Sequence, residues 1–128
     1  LIPAVMRAQA ADIPVFLVDR SVNPEVAQAG TNYVAFLGSD FVDQGRRAAE
    51  YMMENFEGEQ GRIIQLEGTT GSSPANDRKT GFDEAIAGDA RFTMLESRSG
   101  DFSRDEGRRV METLLQAYPD VNIVYAHN

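Results

Sequence analysis

The stretch "RIIQLEGTTGSSPANDRKTGF", Arg62 to Phe82, decides which kind of fold this sequence encodes. It opens on an apolar run of strand length, crosses a glycine- and serine-rich loop and enters a helical pattern. Ser73 is placed to cap that helix, and Pro74 suits its first position. Phe82, Ala85 and Ile86 supply the inward face, and Gly88 ends it. A strand followed so closely by a helix is the repeating unit of an α/β protein.

The same alternation continues in both directions. Upstream, "IPVFLVDR" places a buried strand over Val15 to Asp19, after a helix in "LIPAVMRAQAADIP". "NYVAFLG" is a second, shorter apolar run. Ser39 and Asp40 then offer N-cap chemistry to a helix whose small or apolar face is Gly45, Ala48, Ala49, Met52 and Phe56. Downstream, "RFTMLESR" reads as a strand and "SGDF" as a turn. Ser103 and Glu106 have the spacing of a capping box. Val110, Met111, Leu114, Leu115 and Tyr118 form one apolar stripe, Pro119 halts the helix, and "VNIVYAHN" is a final strand. Such alternation predicts parallel strands, right-handed crossovers and helices on both sheet faces. The expected boundary lies near Ser39 and Asp40. The opening residues read as the tail of a helix begun earlier and "IVYAHN" as a strand reaching its end, so a piece of a longer protein is expected.

Composition narrows the function. The formal net charge of −8 argues against nucleic acid and anionic lipid surfaces, which demand a basic face. With no cysteine and a single histidine, His127, neither disulfides nor a metal site are expected. No apolar run approaches the roughly 18 residues of a membrane span.

In open parallel sheets, ligands sit beyond the carboxyl ends of the strands. Those ends here are "DR", "GTTGSS", "SGDF" and "HN". Asp19 only accepts hydrogen bonds and Arg20 only donates them, so neighbouring hydroxyls, which do both, satisfy the pair. A strand-end ion pair without a ligand, or two side chains pointing opposite ways, is the alternative. "GTTGSSPANDRKTGF" fails the phosphate-loop pattern, because no Gly-Lys-Ser/Thr follows, and the G-x-G-x-x-G fingerprint is missing. Arg78 either reaches across a cleft or lies on a solvated face with Lys79. Phe102 either plugs the core or offers its ring face to a sugar. His127 suits packing or hydrogen bonding, and the Asn128 amide suits a hydroxyl. No G-x-S-x-G elbow is present, Ser72 and Ser73 lack a nearby base, and no carboxylate pair stands out. Polar strand ends without a nucleophile favour binding over catalysis.

Taken in order, "IPVFLVDR", "IIQLEGTTGSSPANDRKTGF" and "SGDFSRDEGRRVMETLLQAYPDVNIVYAHN" resemble the type I periplasmic sugar-binding proteins of bacterial ABC transporters, in the ribose- and galactofuranose-binding branch. The resemblance implies two α/β lobes that close on a sugar. Residues 1–38 would be the later part of the N-terminal lobe, Ser39 and Asp40 the first hinge crossover, and residues 41–128 the first half of the C-terminal lobe. The family's sugar contacts fall on Asp19, Arg20, Arg78, Phe102 and Asn128, with Asn76 at a position that is sometimes arginine. It also implies a monosaccharide ligand, a membrane permease as partner, no cofactor and a periplasmic or lipid-anchored location. The effector domain of a LacI-type transcription regulator, which shares the fold, is the alternative. The 128-residue chain alone is expected to bind sugar poorly.

Overall fold

A computed structural model describes residues 1–128 as two compact units, Leu1–Asp40 and Phe41–Asn128. In the first, helix α1 (Ile2–Ala10) precedes a parallel pair of short strands, β1 (Phe16–Val18) and β2 (Ala35–Leu37), with Leu17 opposite Phe36. Val5 of α1, Leu17, Val22 and Ala27 form the core, with Ile2, Val15, Tyr33 and Phe36 packed around it. Strand β1 is shorter than the expected Val15–Asp19 and only half-buried: Leu17 points inward while Phe16 and Val18 are 58 % and 71 % exposed. Asp19 has φ +65°, outside extended space, so the strand must stop before it.

The second unit is larger. Helix α2 (Phe41–Asn55) leads to strand β3 (Gly61–Glu67), helix α3 (Ser73–Ile86), strand β4 (Phe92–Ser99), helix α4 (Arg104–Ala117) and strand β5 (Ile123–Ala126). The sheet order is β4-β3-β5, with every pairing parallel. The central strand β3 buries Ile63, Ile64 and Gln65 completely. Ile63 packs with Ala49 of α2, Phe82 and Ile86 of α3, and Phe92. On the other face, Leu66 of β3 lies against Gly107 of α4. Helices therefore flank both faces of this sheet. A bulge puts Ile63 opposite Met94 but Ile64 opposite Glu96, leaving Leu95 of the edge strand β4 unmatched.

Helices α2 and α3 pack backbone to backbone. A methyl group on Gly45 would overlap the carbonyl oxygen of Arg78, and one on Gly81 would overlap that of Val42. The missing side chains are what permit so close an approach.

Two helix starts differ in detail from the sequence reading. Ser72, not Ser73, is the N-cap of α3, and its hydroxyl donates to the Thr69 carbonyl at 2.7 Å, so it stabilises the loop, not the helix end. At α4 the Ser103 hydroxyl accepts from the Glu106 N–H as expected. The reciprocal half of the box is replaced: the Ser103 N–H donates to Gly100 O, while the Glu106 carboxylate pairs with Arg109. Along α4, Leu114 is buried but Leu115 is 48 % exposed, so the stripe is wider than the surface it covers. Tyr118 ends the helix and donates its hydroxyl to Glu96 at 3.0 Å.

Candidate functional site

In the first unit, Asp19 and Arg20 stand at the carboxyl end of β1, both exposed. The Asp19 N–H donates to Leu37 O at 2.9 Å, and the Arg20 N–H reaches back to Val18 O at 2.7 Å. With φ +65° at Asp19, this closes a three-residue turn of the strained kind. Strain of this sort clusters at functional positions, where surrounding structure holds it in place. Here the strand ladder fixes the turn and projects two oppositely charged side chains. No ion pair joins them, which sets aside the ion-pair form of the alternative reading and not the form in which the two side chains diverge.

In the second unit, Arg78 is half-buried on α3 and packs on the first turn of α2. Its guanidinium carbon lies 4.6 Å from the centre of the Phe41 ring, and its Nε–H donates to Gln44 Oε1 at 3.0 Å. The close α2–α3 packing around Gly45 makes both contacts possible. Lys79 turns towards the sheet instead: its Nζ donates to Gln65 Oε1 and Ser97 Oγ and pairs with Asp83 at 2.9 Å and Glu67 at 3.6 Å. The two cations therefore do not share a solvated face. Asn76 is exposed, in the first half of α3.

Phe102 follows Asp101 in the turn after β4, and both have left-handed backbones, φ +51° and +56°. The half-buried Phe102 ring rests on Gly68, where any side chain would overlap it. Phe102 and the exposed Asn128 line one cavity of about 360 Å³ together with Glu67, Arg104 and Leu66. The structure thus brings Phe102 and Asn128 together, and it holds Arg78 apart from that cavity, against α2.

A buried polar network beneath these strand ends escaped the sequence reading. Gln65 is fully buried and His127 is 6 % exposed. The Gln65 carbonyl accepts from Lys79 and Ser97, which turns its amide nitrogen to His127 Nε2 at 3.0 Å. The Gly68 N–H faces the other ring nitrogen, Nδ1, at 3.3 Å. With N–H groups facing both ring nitrogens, the neutral imidazole, which accepts at one of them, fits better than the imidazolium, which accepts at neither. Burial holds its pKa down to about 4, with the nearby Arg78 and Lys79 acting in the same direction and Glu67 and Asp83 opposing. The ring also leans on Tyr125, which stacks on Phe82 at 4.0 Å. The one visible hint in the sequence was a glutamine inside an apolar strand.

No helix is long and apolar enough to cross a membrane. The sequence profile described as "periplasmic binding protein domain" matches residues 1–128. The galactofuranose-binding protein YtfQ of Escherichia coli K12 is 35 % identical over 129 aligned residues, covering 98 % of this chain and 40 % of that protein. The ribose import binding protein RbsB of Salmonella typhimurium is 39 % identical over 125 residues, with the same coverage of 98 % and 40 %. Among solved structures, a galactofuranose-binding protein superposes with a TM-score of 0.90 at 35 % identity, over 98 % of this chain and 43 % of the other. A Mycobacterium smegmatis protein in complex with β-D-fucofuranose gives 0.87 at 39 % identity, over 97 % and 40 %. The chain spans about 40 % of the length of the curated relatives it matches. It belongs to the periplasmic binding protein domain family, and it has that family's α/β fold of parallel sheets with flanking helices.

Proposed function

We propose that this chain is part of the substrate-binding component of a bacterial ABC importer that reversibly holds a monosaccharide, a pentose or hexose of the galactofuranose kind. The observation that carries the reading is the match along 98 % of the chain to proteins named for binding ribose and galactofuranose. The residues fit such a ligand chemically. Sugar hydroxyls can donate to the Asp19 carboxylate and accept from a guanidinium, whether that of Arg20 or that of Arg78. The Phe102 face covers the ring's C–H groups, and the Asn128 amide both donates and accepts. Arg78 commits its Nε–H to Gln44, so its terminal amino groups are the ones the sugar meets.

In this reading both lobes of the full-length protein contribute contacts, and Ser39 and Asp40 act as the first hinge crossover. Ligand binding then favours closure, because only the closed form makes every contact. The closed protein delivers its sugar to a membrane permease from the periplasm, or from a lipid anchor at the cell surface. We take the protein as a binder and not an enzyme. In support, the buried Ser72 hydroxyl is spent on the Thr69 carbonyl, and the neutral His127 ring is enclosed by Gln65 and Gly68.

A thermal-shift screen of the full-length protein against pentoses, hexoses, amino acids and nucleosides tests the assignment. A ligand that binds only the folded state raises the melting temperature in proportion to the logarithm of its concentration over Kd. At least one sugar should do so. A response confined to amino acids or nucleosides would overturn the reading.

A further inference from the structure

Arg78 is the one proposed sugar contact whose side chain is held by residues of another helix, and those residues occupy the first turn of α2. The buried Phe41 ring lies against the guanidinium, and Gln44 Oε1 accepts its Nε–H at 3.0 Å. Phe41 and Gln44 are one helical turn apart, so a single helix face presents both groups. The helix cannot drift from α3, because Gly45 and Gly81 put the two backbones in direct contact. Phe41 directly follows Asp40 in the chain.

An unrestrained arginine has many rotamers to lose when a ligand fixes it, which lowers affinity. An arginine clamped beforehand loses few. We infer that Gln44 and Phe41 are positioning residues for sugar binding: they hold the Arg78 guanidinium ready, and neither touches the sugar. The inference rests on the sugar-binding reading and extends it to a pair that nothing in the sequence marked.

Calorimetric titration of the full-length protein tests this, using whichever of D-ribose, D-fructose and D-galactose binds the wild type tightest. Gln44 is exposed, so its variants retain the fold. Gln44→Ala should weaken binding roughly threefold to tenfold, the cost of immobilising one long side chain. Gln44→Glu, which keeps an acceptor oxygen for Nε–H, should restore most of the loss. In an Arg78→Ala background, Gln44→Ala should have no further effect, because the clamp has nothing left to hold. Phe41→Leu, which keeps the apolar plug but loses the flat ring, should weaken binding in the wild type and not in Arg78→Ala. Equal losses in both backgrounds, or no loss from Gln44→Ala while Arg78→Ala weakens binding, would overturn this inference alone. No sugar bound by the wild type, or unchanged affinity in Arg78→Ala, would overturn the sugar-site reading and this inference with it.

Discussion

The neutral, enclosed His127 ring makes the stability of this chain depend on pH in a calculable way. The ring's pKa is held down from the ordinary 6.5 to about 4 in the folded chain, chiefly by burial. Unfolding returns it to water and to its ordinary value. Between these two pH values the unfolded chain binds the extra proton, so stability falls as pH is lowered. The contribution is fully present above pH 6.5, declines as pH drops through the window, and levels off below about 4. At roughly 1.4 kcal/mol for each tenfold change in proton affinity, the whole window holds about 3 kcal/mol. About 2 kcal/mol of it is lost between pH 7 and pH 5. Urea unfolding of the 128-residue chain, followed by far-ultraviolet circular dichroism, measures this. The control is His127→Gln, whose amide meets the same neighbours without titrating. Glu67, Arg78, Lys79 and Asp83, whose charges reach the ring, are present in both proteins and largely cancel on subtraction. The wild type should lose about 2 kcal/mol relative to the variant from pH 7 to pH 5. A difference that stays constant across that range would refute the enclosed, neutral ring.

Three further outcomes follow from the packing. Gly81→Ala gains about 1 kcal/mol of helix propensity, but its methyl group meets the Val42 carbonyl, so α2 and α3 must part. Overpacking at roughly 2–3 kcal/mol outweighs the gain; the urea midpoint should fall, and a raised midpoint would contradict the backbone contact. Gly68→Ala displaces only the tip of the Phe102 ring, a side chain that can swing aside. Sugar affinity of the full-length protein should therefore drop with a melting temperature close to wild type, and unchanged affinity would argue against a ligand role for Phe102. Asp19→Gly relieves the left-handed backbone at φ +65°, raising unfolding free energy by up to roughly 1 kcal/mol. It also removes the carboxylate, so stability and affinity should move in opposite directions, and a loss of both would contradict the strained turn.

The architecture was legible because apolar spacing records which face of an element is covered. The runs around Ile63, Phe82, Phe92 and Leu114 gave the elements in order, and those residues form or adjoin the core. Spacing does not record how far a covering surface extends, so it marks Leu115 as inward and β1 as buried where Leu115, Phe16 and Val18 are exposed. Ser72 and Ser73 are equivalent as letters, and nothing in their order shows that Ser72, with its hydroxyl turned to the Thr69 carbonyl, is the residue that precedes α3. Polar partners distant in sequence were the least legible. Gln65 and His127 are 62 residues apart, and Lys79 meets both Gln65 and Ser97 only because α3 folds back over the strands. For the same reason Arg78 and Lys79, adjacent in the chain, gave no sign that one packs on α2 and the other on the sheet.

The proposal that Asp19, Arg20, Arg78, Phe102 and Asn128 serve one uncharged sugar is tested most directly by calorimetric titration of the full-length protein and its Asp19→Ala and Arg78→Ala variants. Hydrogen bonds to charged groups contribute roughly 1.5–3 kcal/mol. The wild type should show saturable one-to-one binding of a pentose or hexose, weakened on the order of tenfold to a hundredfold in each variant. Wild-type affinity in both variants, or no saturable heat with any sugar, would contradict it.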